Sequence, residues 1–364
     1  MRSLSAQFPG LHSALPFVRL ADLPTELRCL DNLGTALGIT GLLIKSDDTS
    51  AAEYGGNKVR KLEYLLGDAL ARKCDAVLTY GMVGSNHALA TAIHAKRLGL
   101  RCYAVLIGQL MTSSVQATLR YHAHVGTHLI HATDFPASRE LAARARAGHP
   151  GGEERVYEIP WGGSSWLGTV GLIGAALELS VQLRDAGHPE PDLIYMPCGT
   201  LGSTVGLAMG LRLAGLASRV VAVRVTPPVV SSPERFADLF NETNAELHAR
   251  DPDFPVLDDP LANIMFRGEF FGAEHDYAGV EIRAARELMR THENLHLDMT
   301  YTGKAMAALI HDARQGQLAG RNALFWNTYN SRPYPENLPA RPGRALPSEF
   351  DGYFPEAGRS GAKP

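Results

Sequence analysis

The stretch YGGNKVRKLEYLLGDALARK (residues 54–73) joins a glycine turn to the start of a predicted helix. Lys58 and Lys61 are three residues apart, so both side chains can point to one face of the first helical turn. The helix dipole disfavours cations at this end of a helix. These lysines are either solvated surface charges, the usual fate of lysine, or amines held for chemistry. The compact turn of residues 55–57 favours the second interpretation because it would hold Lys58 in place.

The composition limits the classes of protein that this chain can belong to. Its 364 residues are 45% hydrophobic and 20% charged, with a formal net charge of −3, which predicts neither a nucleic-acid nor a membrane binder. The four cysteines are widely spread and no CxxC or HExxH spacing occurs, so we expect reduced thiols and no metal site. The N-terminal stretch MRSLSAQFPGLHSALPF lacks a continuous apolar segment, so we expect a cytoplasmic protein without a signal peptide or membrane span.

Short apolar runs alternate with helical patterns along the chain. The predicted strands are 75–81, 101–108, 127–132, 192–199, 219–226 and 323–328. The predicted helices between them include 86–100, 113–126 and 203–215. This alternation predicts an α/β protein with parallel sheets and helices on both faces. Two such units would fit the length, with a ligand in the cleft between them.

The segment CGTLGSTVG (198–206) follows a predicted strand and opens a predicted helix. Its glycines would let backbone N–H groups turn toward an anion, and Ser203 and Thr204 add hydroxyl donors. Neither the P-loop GK[ST] nor the dinucleotide GxGxxG pattern is present. The pattern fits a cup for a single phosphate monoester or a plain strand-to-helix turn.

Two further segments place polar residues at the start of predicted helices. Ser85, Asn86 and His87 in GMVGSNHALA (81–90) are either a helix cap or a polar site for a carboxylate or ring hydroxyl. Tyr301 and Thr302 in YTGKAM allow the same two interpretations. A lysine held near a single-phosphate cup suggests a Schiff base with pyridoxal phosphate, which carries one phosphate and an aldehyde.

Together, GGNKVRKLEYL, GSNHALA, GSTVG and YTGKAM resemble the pyridoxal-phosphate enzymes of the tryptophan-synthase-β fold (fold type II). Within it they resemble the D-cysteine desulfhydrase and 1-aminocyclopropane-1-carboxylate deaminase group, from about residue 8 to residue 330. The resemblance implies two open twisted parallel-sheet domains with helices on both faces and the active site in the interdomain cleft. The implied parts are a large cofactor-binding domain (1–57 and 169–340) and a small domain (58–168). The resemblance does not cover the Pro/Gly-rich tail (341–364), whose composition predicts a segment that is disordered or lies over the surface, with Phe350, Tyr353 and Phe354 available for docking.

The resemblance also implies roles for individual residues. Lys58 would form the Schiff base and act in catalysis together with Ser85, which holds the substrate carboxylate or shuttles a proton, and Tyr301, which faces the substrate. The implied cofactor-binding residues are Lys58, Lys61, Asn86, Gly199, Thr200, Leu201, Gly202, Ser203, Thr204 and Thr302. The implied substrate-binding residues are Ser85, Asn86, His87, Trp161, Gly163, Tyr301, Asn327, Thr328 and Tyr329.

Two features bear on the reaction and the substrate. Thr302 takes the place of the pyridine-nitrogen partner, where the ring-opening deaminases carry a glutamate, and a neutral partner favours α,β-elimination over ring opening. In WNTYNSRPY, Tyr329 and Asn330 replace two family glycines, which predicts a smaller or reshaped pocket. Arg267 and Arg332 are either surface residues or binders of a second acidic group on the substrate.

The resulting expectation is a D-cysteine desulfhydrase-like lyase of amino-acid metabolism. It would eliminate the β-group of a small β-substituted amino acid, giving a 2-oxo acid, ammonia and sulfide, sulfite or a similar leaving group. The alternatives are ring-opening deamination of an aminocyclopropane acid, a racemase or dehydratase, a catalytically silent pyridoxal-phosphate-binding protein, and an unrelated phosphate-binding protein. The family implies a homodimer, and we expect no nucleic acid, membrane or metal partner.

Overall fold

A computed structural model describes residues 3–147, 154–272, 279–340, 342 and 345–354. The chain forms two compact units. Unit 1 consists of Met1–Leu65 and Gly163–Arg332, and unit 2 consists of Leu66–Gly162 and Pro333–Pro364.

Strands and helices alternate through most of the described chain. The strands are β1 Leu27–Cys29, β2 Leu42–Ser46, β3 Ala76–Met82, β4 Arg101–Ile107, β5 His128–Ala132, β6 Val156–Glu158, β7 Leu193–Cys198, β8 Arg219–Arg224, β9 Ile264–Arg267 and β10 Ala323–Asn327. The α-helices are α1 Ser3–Gln7, α2 Gly10–Ala14, α3 Asp31–Leu37, α4 Lys58–Ala71, α5 Asn86–Arg97, α6 Ser113–Val125, α7 Phe135–Ala147, α8 Trp166–Ala186, α9 Gly202–Leu213, α10 Pro233–Arg250, α11 Val280–Glu293 and α12 Thr302–Arg314. Short 3₁₀ helices are Asp47–Thr49, Trp161–Gly163 and Ser348–Tyr353.

Unit 1 is built on a sheet with the order β1-β2-β10-β7-β8-β9. Its strands are parallel except at β1, which pairs with β2 in the antiparallel sense. Every residue of β2, β7 and β10 is buried, as expected for parallel strands covered on both faces. One core joins these strands to α11 and α12, through residues such as Tyr195, Phe325 and Met306.

Unit 2 is built on a parallel sheet with the order β5-β4-β3-β6. One of its cores joins β4 to α5 and α6 through residues such as Leu106, Ala88 and Leu119. A second core joins β3 and β4 to α7 through residues such as Leu78 and Ala142. The predicted α/β fold class with parallel sheets is therefore confirmed, and the six strands expected from the sequence occur close to their predicted bounds.

The division into units differs from the sequence-based domain bounds. It falls inside α4 instead of before Lys58, because the buried Arg60 in the first turn of α4 bonds to Asp47 and Glu178 of unit 1. The described residues after Arg332 form part of unit 2, where the predicted tail contributes the fully buried Phe350 to a core. Of that tail, residues 341, 343–344 and 355–364 lie outside the described residues.

Helix α8 has the length and composition of a membrane span, the only such helix among the residues described. However, 67% of its apolar window is buried inside the fold, as in the core helix of a globular domain.

Candidate active site

Lys58 is the first residue of α4 and follows a tightly fixed turn. Gly55 has no room for a side chain, because an added Cβ would lie 2.2 Å from the Asp48 carbonyl oxygen. Its N–H donates to Asn330 Oδ1 at 2.7 Å. The turn therefore sets the position from which the half-buried Lys58 side chain extends.

Asn57 connects this turn to two other parts of unit 1. Its side-chain amide donates to Ser203 Oγ at 2.9 Å, in the first turn of α9. Its backbone N–H donates to the Thr328 carbonyl at 3.0 Å, just after β10. The structure thus brings the lysine turn together with the glycine-rich loop and with Thr328. The sequence placed Asn57 in the turn that would hold Lys58, but it did not reveal the contacts with Ser203 and Thr328.

Burial changes the titration of both lysines. It lowers the pKa of the Lys58 ammonium to about 8. The pKa of Lys61, which is fully buried, is held well below its usual range by burial and then by the charge of Lys58. Among the described residues we find no carboxylate paired with Lys58. Roughly a tenth of the Lys58 amine is therefore neutral, and nucleophilic, at pH 7, which is far more than for a solvated lysine.

The loop between β7 and α9 forms a cradle of polar groups around Ser164. Ser164 Oγ shares a hydrogen bond with Thr200 Oγ1 (2.8 Å) and accepts from the Gly202 N–H and from Lys61 Nζ, both at 3.2 Å. An added Cβ at Gly202 would lie 2.7 Å from both Lys61 Nζ and Ser164 Oγ. Leu201 adopts a left-handed backbone (φ 70°), which is strained for leucine and is common at ligand-binding turns.

These groups fit a phosphate monoester well. The helix N-terminus, the hydroxyls and the buried lysine all favour an anion, and Lys61 Nζ and Ser164 Oγ can approach the Gly202 backbone only because glycine has no side chain. Ser164 was missed by the sequence analysis, which noted only the neighbouring Trp161 and Gly163. Its signal was the glycine- and serine-rich segment before α8.

Thr302 begins α12 and is fully buried. Its hydroxyl donates to Asp298 Oδ1 at 2.6 Å. The Asp298 carboxylate also accepts from the backbone N–H groups of Thr300, Tyr301 and Thr302 at 2.7–2.8 Å, so Asp298 caps the helix. The Thr302 oxygen also accepts from the Asp298 N–H at 3.1 Å, which leaves one lone pair for a further donor. Tyr301 beside it is half-buried. Asp298 is a further residue that the sequence analysis missed.

The segment after β10 supplies the other predicted unit 1 residues. Asn327 and Thr328 are buried and Tyr329 is half-buried. Asn327 Nδ2 has no hydrogen-bond partner within the described parts of the chain, so this buried amide can still donate. Asn330, one of the two departures from the family pattern, supports the lysine turn through Gly55.

Of the remaining predicted residues, Gly163 is buried and lies in unit 1, and the others lie in unit 2. Ser85 caps α5 by accepting from the Ala88 N–H at 3.2 Å, and Asn86 beside it is buried. His87 Nε2 is hydrogen-bonded to Thr79 Oγ1 at 3.0 Å. Trp161 stacks on Tyr80, with ring centroids 5.7 Å apart.

Neither candidate arginine is available for a second acidic group on the substrate. Arg267 pairs with Asp312 at 2.7 Å and with Glu269 at 2.5 Å. The guanidinium of Arg332 donates to the carbonyls of Thr49 and Ala51. The structure therefore speaks against the substrate-binding alternative for both arginines, because their side chains are already used inside unit 1.

Comparison with known proteins gives a consistent result. The profile of the family described as pyridoxal-phosphate dependent enzyme matches residues 18–328. The chain is 34% identical over 324 residues to nocardicin C-9′ epimerase of Nocardia uniformis subsp. tsuyamanensis. This alignment covers 88% of this chain and 94% of that protein. The chain is 33% identical over 327 residues to D-cysteine desulfhydrase of Klebsiella pneumoniae subsp. pneumoniae, covering 85% and 92%.

A crystal structure of an ACC deaminase homologue matches with a TM-score of 0.74 and 30% identity, covering 89% of this chain and 94% of that one. The cradle and the Lys58 amine fit the phosphate and the aldehyde of pyridoxal 5′-phosphate, which is the cofactor of the matching family. The chain therefore belongs to the pyridoxal-phosphate dependent enzymes of fold type II, in the group that includes D-cysteine desulfhydrase and 1-aminocyclopropane-1-carboxylate deaminase.

Proposed function

We propose that this enzyme catalyses α,β-elimination on a small β-substituted amino acid, with D-cysteine as the first substrate to test. The products are a 2-oxo acid, ammonia and the β-leaving group. The observation that carries this proposal is the pairing of a Lys58 amine of lowered pKa with an uncharged Thr302 at the start of α12. The relative named D-cysteine desulfhydrase supports the same reaction.

Contacts within unit 1 support the cofactor-binding roles proposed for its residues. Lys58 would bind the cofactor aldehyde, while Lys61, Gly202, Ser203 and Thr204 would hold the phosphate. When bound, pyridoxal phosphate draws electrons from the substrate Cα and so acidifies its proton. Thr302 would be the partner of the pyridine nitrogen, and Asn86 the partner of the ring hydroxyl.

Lys58 also moves the proton. With its amine free, Lys58 Nζ would accept the Cα proton as a general base. The electrons of the Cα–H bond would form a Cα=Cβ double bond as the bond from Cβ to the leaving group breaks, and the leaving group would take that second electron pair. The resulting enamine would tautomerise to an imine and react with one water molecule to give the 2-oxo acid and ammonia. Ser85 holds the substrate carboxylate. Because the leaving group removes the electrons, a strong electron sink is unnecessary, which is consistent with a neutral Thr302 in place of an acid.

The reaction is tested by incubating the holoenzyme with D-cysteine, L-cysteine, β-chloroalanine and 1-aminocyclopropane-1-carboxylate. We expect equal amounts of pyruvate and ammonia from at least one β-substituted alanine. Ring opening would instead yield 2-oxobutyrate from the cyclopropane acid. The proposal fails if the loaded enzyme yields no pyruvate from any of the three, or if the cyclopropane acid gives the highest kcat/KM.

A second candidate reaction is epimerisation at Cα, favoured by the relative from Nocardia uniformis, which is named as an epimerase. It shares the proton transfer at Lys58 but keeps the β-group. The same panel in D₂O separates the two reactions: epimerisation incorporates deuterium at Cα without releasing pyruvate. We further propose that the enzyme is a cytoplasmic homodimer, as in the sequence-based expectation.

The lowered pKa of Lys58 predicts how cofactor attachment depends on pH. The amine is mostly protonated below about pH 8, and only the neutral form reacts, so attachment to cofactor-free protein will accelerate as the pH rises, with a midpoint near 8. Absorbance after mixing with pyridoxal phosphate, from about pH 6 to about pH 10, measures this rate. A midpoint near about 10.4, typical of a solvated lysine, would contradict the burial argument.

Gly202→Ala tests the phosphate cradle. The new methyl group would lie 2.7 Å from Lys61 Nζ and Ser164 Oγ, so both must move away from the anion site. We expect the Kd for pyridoxal phosphate to rise by about tenfold or more, comparable to losing one hydrogen bond to a charged group. Gly352→Ala is the control, since its methyl group would meet nothing within 4 Å. If the two variants bound pyridoxal phosphate with equal affinity, Gly202 would not belong to the phosphate site.

A further inference from the structure

The C-terminal segment, residues 345–354, lies beyond the part of the chain that matches the family. It is nonetheless anchored in unit 2. Phe350 is fully buried in the core that contains Val83, Ala88 and Leu346. Its ring also packs edge-on against His131, with centroids 5.5 Å apart. The segment is thus an integral part of the unit that carries Ser85 and Asn86.

Tyr353 completes the hydrogen bonding of a backbone position just past the end of β4. Its hydroxyl accepts from the Gln109 N–H and donates to the Gln109 carbonyl, both at 3.0 Å. The Tyr353 carbonyl in turn accepts from Gln116 Nε2 at 2.7 Å. One side chain therefore satisfies both polar groups of the Gln109 backbone and fixes where its side chain starts.

The Gln109 side chain extends this connection to the Ser85 turn. Its Oε1 accepts from the Gly84 N–H at 2.8 Å. Gly84 immediately precedes Ser85, whose own side chain caps α5. A continuous path of hydrogen bonds and one peptide bond thus runs from Tyr353 through Gln109 to Ser85.

We propose that Gln109 and Tyr353 are positioning residues, which fix the Val83–Gly84 peptide and so hold the turn that places Ser85 and Asn86 for their contacts with the substrate carboxylate and the cofactor. This inference rests on the roles proposed above for Ser85 and Asn86. It gives the C-terminal segment a part in substrate binding although none of its residues touches the substrate.

Variants that remove or keep the acceptor atom of Gln109 test this proposal. Gln109→Met keeps the length of the side chain but removes the acceptor for the Gly84 N–H, whereas Gln109→Glu keeps an acceptor oxygen. Tyr353→Phe removes only the hydroxyl. Glu349→Gln, at an exposed residue of the same segment, is the matched control. Each variant is studied as full-length holoenzyme by hydrogen exchange of residues 82–90, thermal unfolding and steady-state kinetics.

We expect Gln109→Met and Tyr353→Phe to exchange amide hydrogens up to about tenfold faster in residues 82–90, because one local hydrogen bond is lost. KM for the amino-acid substrate should rise by a similar factor with kcat nearly unchanged. Gln109→Glu should keep both the exchange rate and KM near the values of the parent protein. Glu349→Gln should change neither value. The absorbance of the bound cofactor and the unfolding temperature should stay as in the parent protein.

Three results would overturn the proposal: unchanged exchange in Gln109→Met, equal behaviour of Gln109→Met and Gln109→Glu, or faster exchange that extends along β4 with a lower unfolding temperature. The exchange measurement does not depend on turnover. A wrong substrate assignment would therefore not affect the exchange result. It would be recognised separately, because the parent enzyme would form no product.

Discussion

Lys58→Ala will lack the absorbance band near about 410–420 nm that pyridoxal phosphate gives when bound to a lysine. Turnover will fall by roughly 10⁴-fold or more, since the same change removes the general base. The physical reason is that Lys58 Nζ combines a lowered pKa with a fixed starting point, because Gly55 and Asn57 hold the turn before it. Absorbance spectra of the purified variants, with added cofactor, measure the first effect directly.

Two other lysine variants make this result specific. Lys96→Ala changes an exposed lysine of α5 and should keep both the band and the activity. Lys61→Ala should keep the band at saturating cofactor but bind the cofactor more weakly, because Lys61 Nζ lies in the phosphate cradle. If Lys58→Ala kept the band and Lys61→Ala lost it, the two lysines would have been assigned in reverse.

Arg60→Met will produce the largest loss of stability that we expect from one substitution. Arg60 is almost fully buried and bonds to Asp47 at 2.8 Å and to Glu178 at 2.9 Å. Lys45 also pairs with Glu178, and Trp326 Nε1 donates to Asp47 Oδ2. Removing the guanidinium leaves Asp47 buried without its cation, which typically costs about 3–5 kcal/mol.

The midpoint of urea unfolding measures this loss. Arg144→Met is the matched control, because Arg144 and Glu140 form an exposed pair on α7 that is expected to contribute under about 1 kcal/mol. The two variants should therefore differ clearly. If Arg60→Met unfolded at the same urea concentration as Arg144→Met, the cluster would contribute no more than a surface pair.

The same cluster should make the stability of unit 1 depend on pH in the acid range. Burial alone would raise the pKa of the Glu178 carboxyl, but Arg60 and Lys45 outweigh it and lower the pKa to about 2. A carboxyl whose pKa is depressed in the folded state stabilises the protein above its unfolded pKa, near about 4.3. That contribution is lost as the pH falls from about 4.3 toward 2. Arg60→Met should show a smaller loss over this range.

The sequence allowed the lysine turn and the phosphate loop to be predicted because both are local. Residues 55–58 and 198–204 carry their glycines, hydroxyls and amines within a few positions of one another. The strands were predictable for a similar reason, since those buried on both faces read as short apolar runs. Strand β2 was missed because Lys45 interrupts its apolar run, and only its distant partner Glu178 makes that burial possible.

The site contacts that were not predicted join residues that are far apart in the sequence. Asn57 reaches Ser203 and Ser164 reaches Lys61, so neither partner was visible in a local pattern. The packing of the C-terminal segment was also not visible in its local sequence. Its Pro/Gly-rich composition suggested a tail, whereas its place in the core depends on Phe350 meeting α5 and α6, which are remote in the chain.

The account depends above all on the attachment of the cofactor to Lys58. Purified holoenzyme can be treated with borohydride, which fixes the cofactor permanently to the lysine that carries it, and then digested for peptide mapping by mass spectrometry. We predict a pyridoxyl group on the peptide that contains Lys58, at the Lys58 Nζ. A pyridoxyl group on Lys61 or any other lysine, or none after incubation with excess cofactor, would contradict the account.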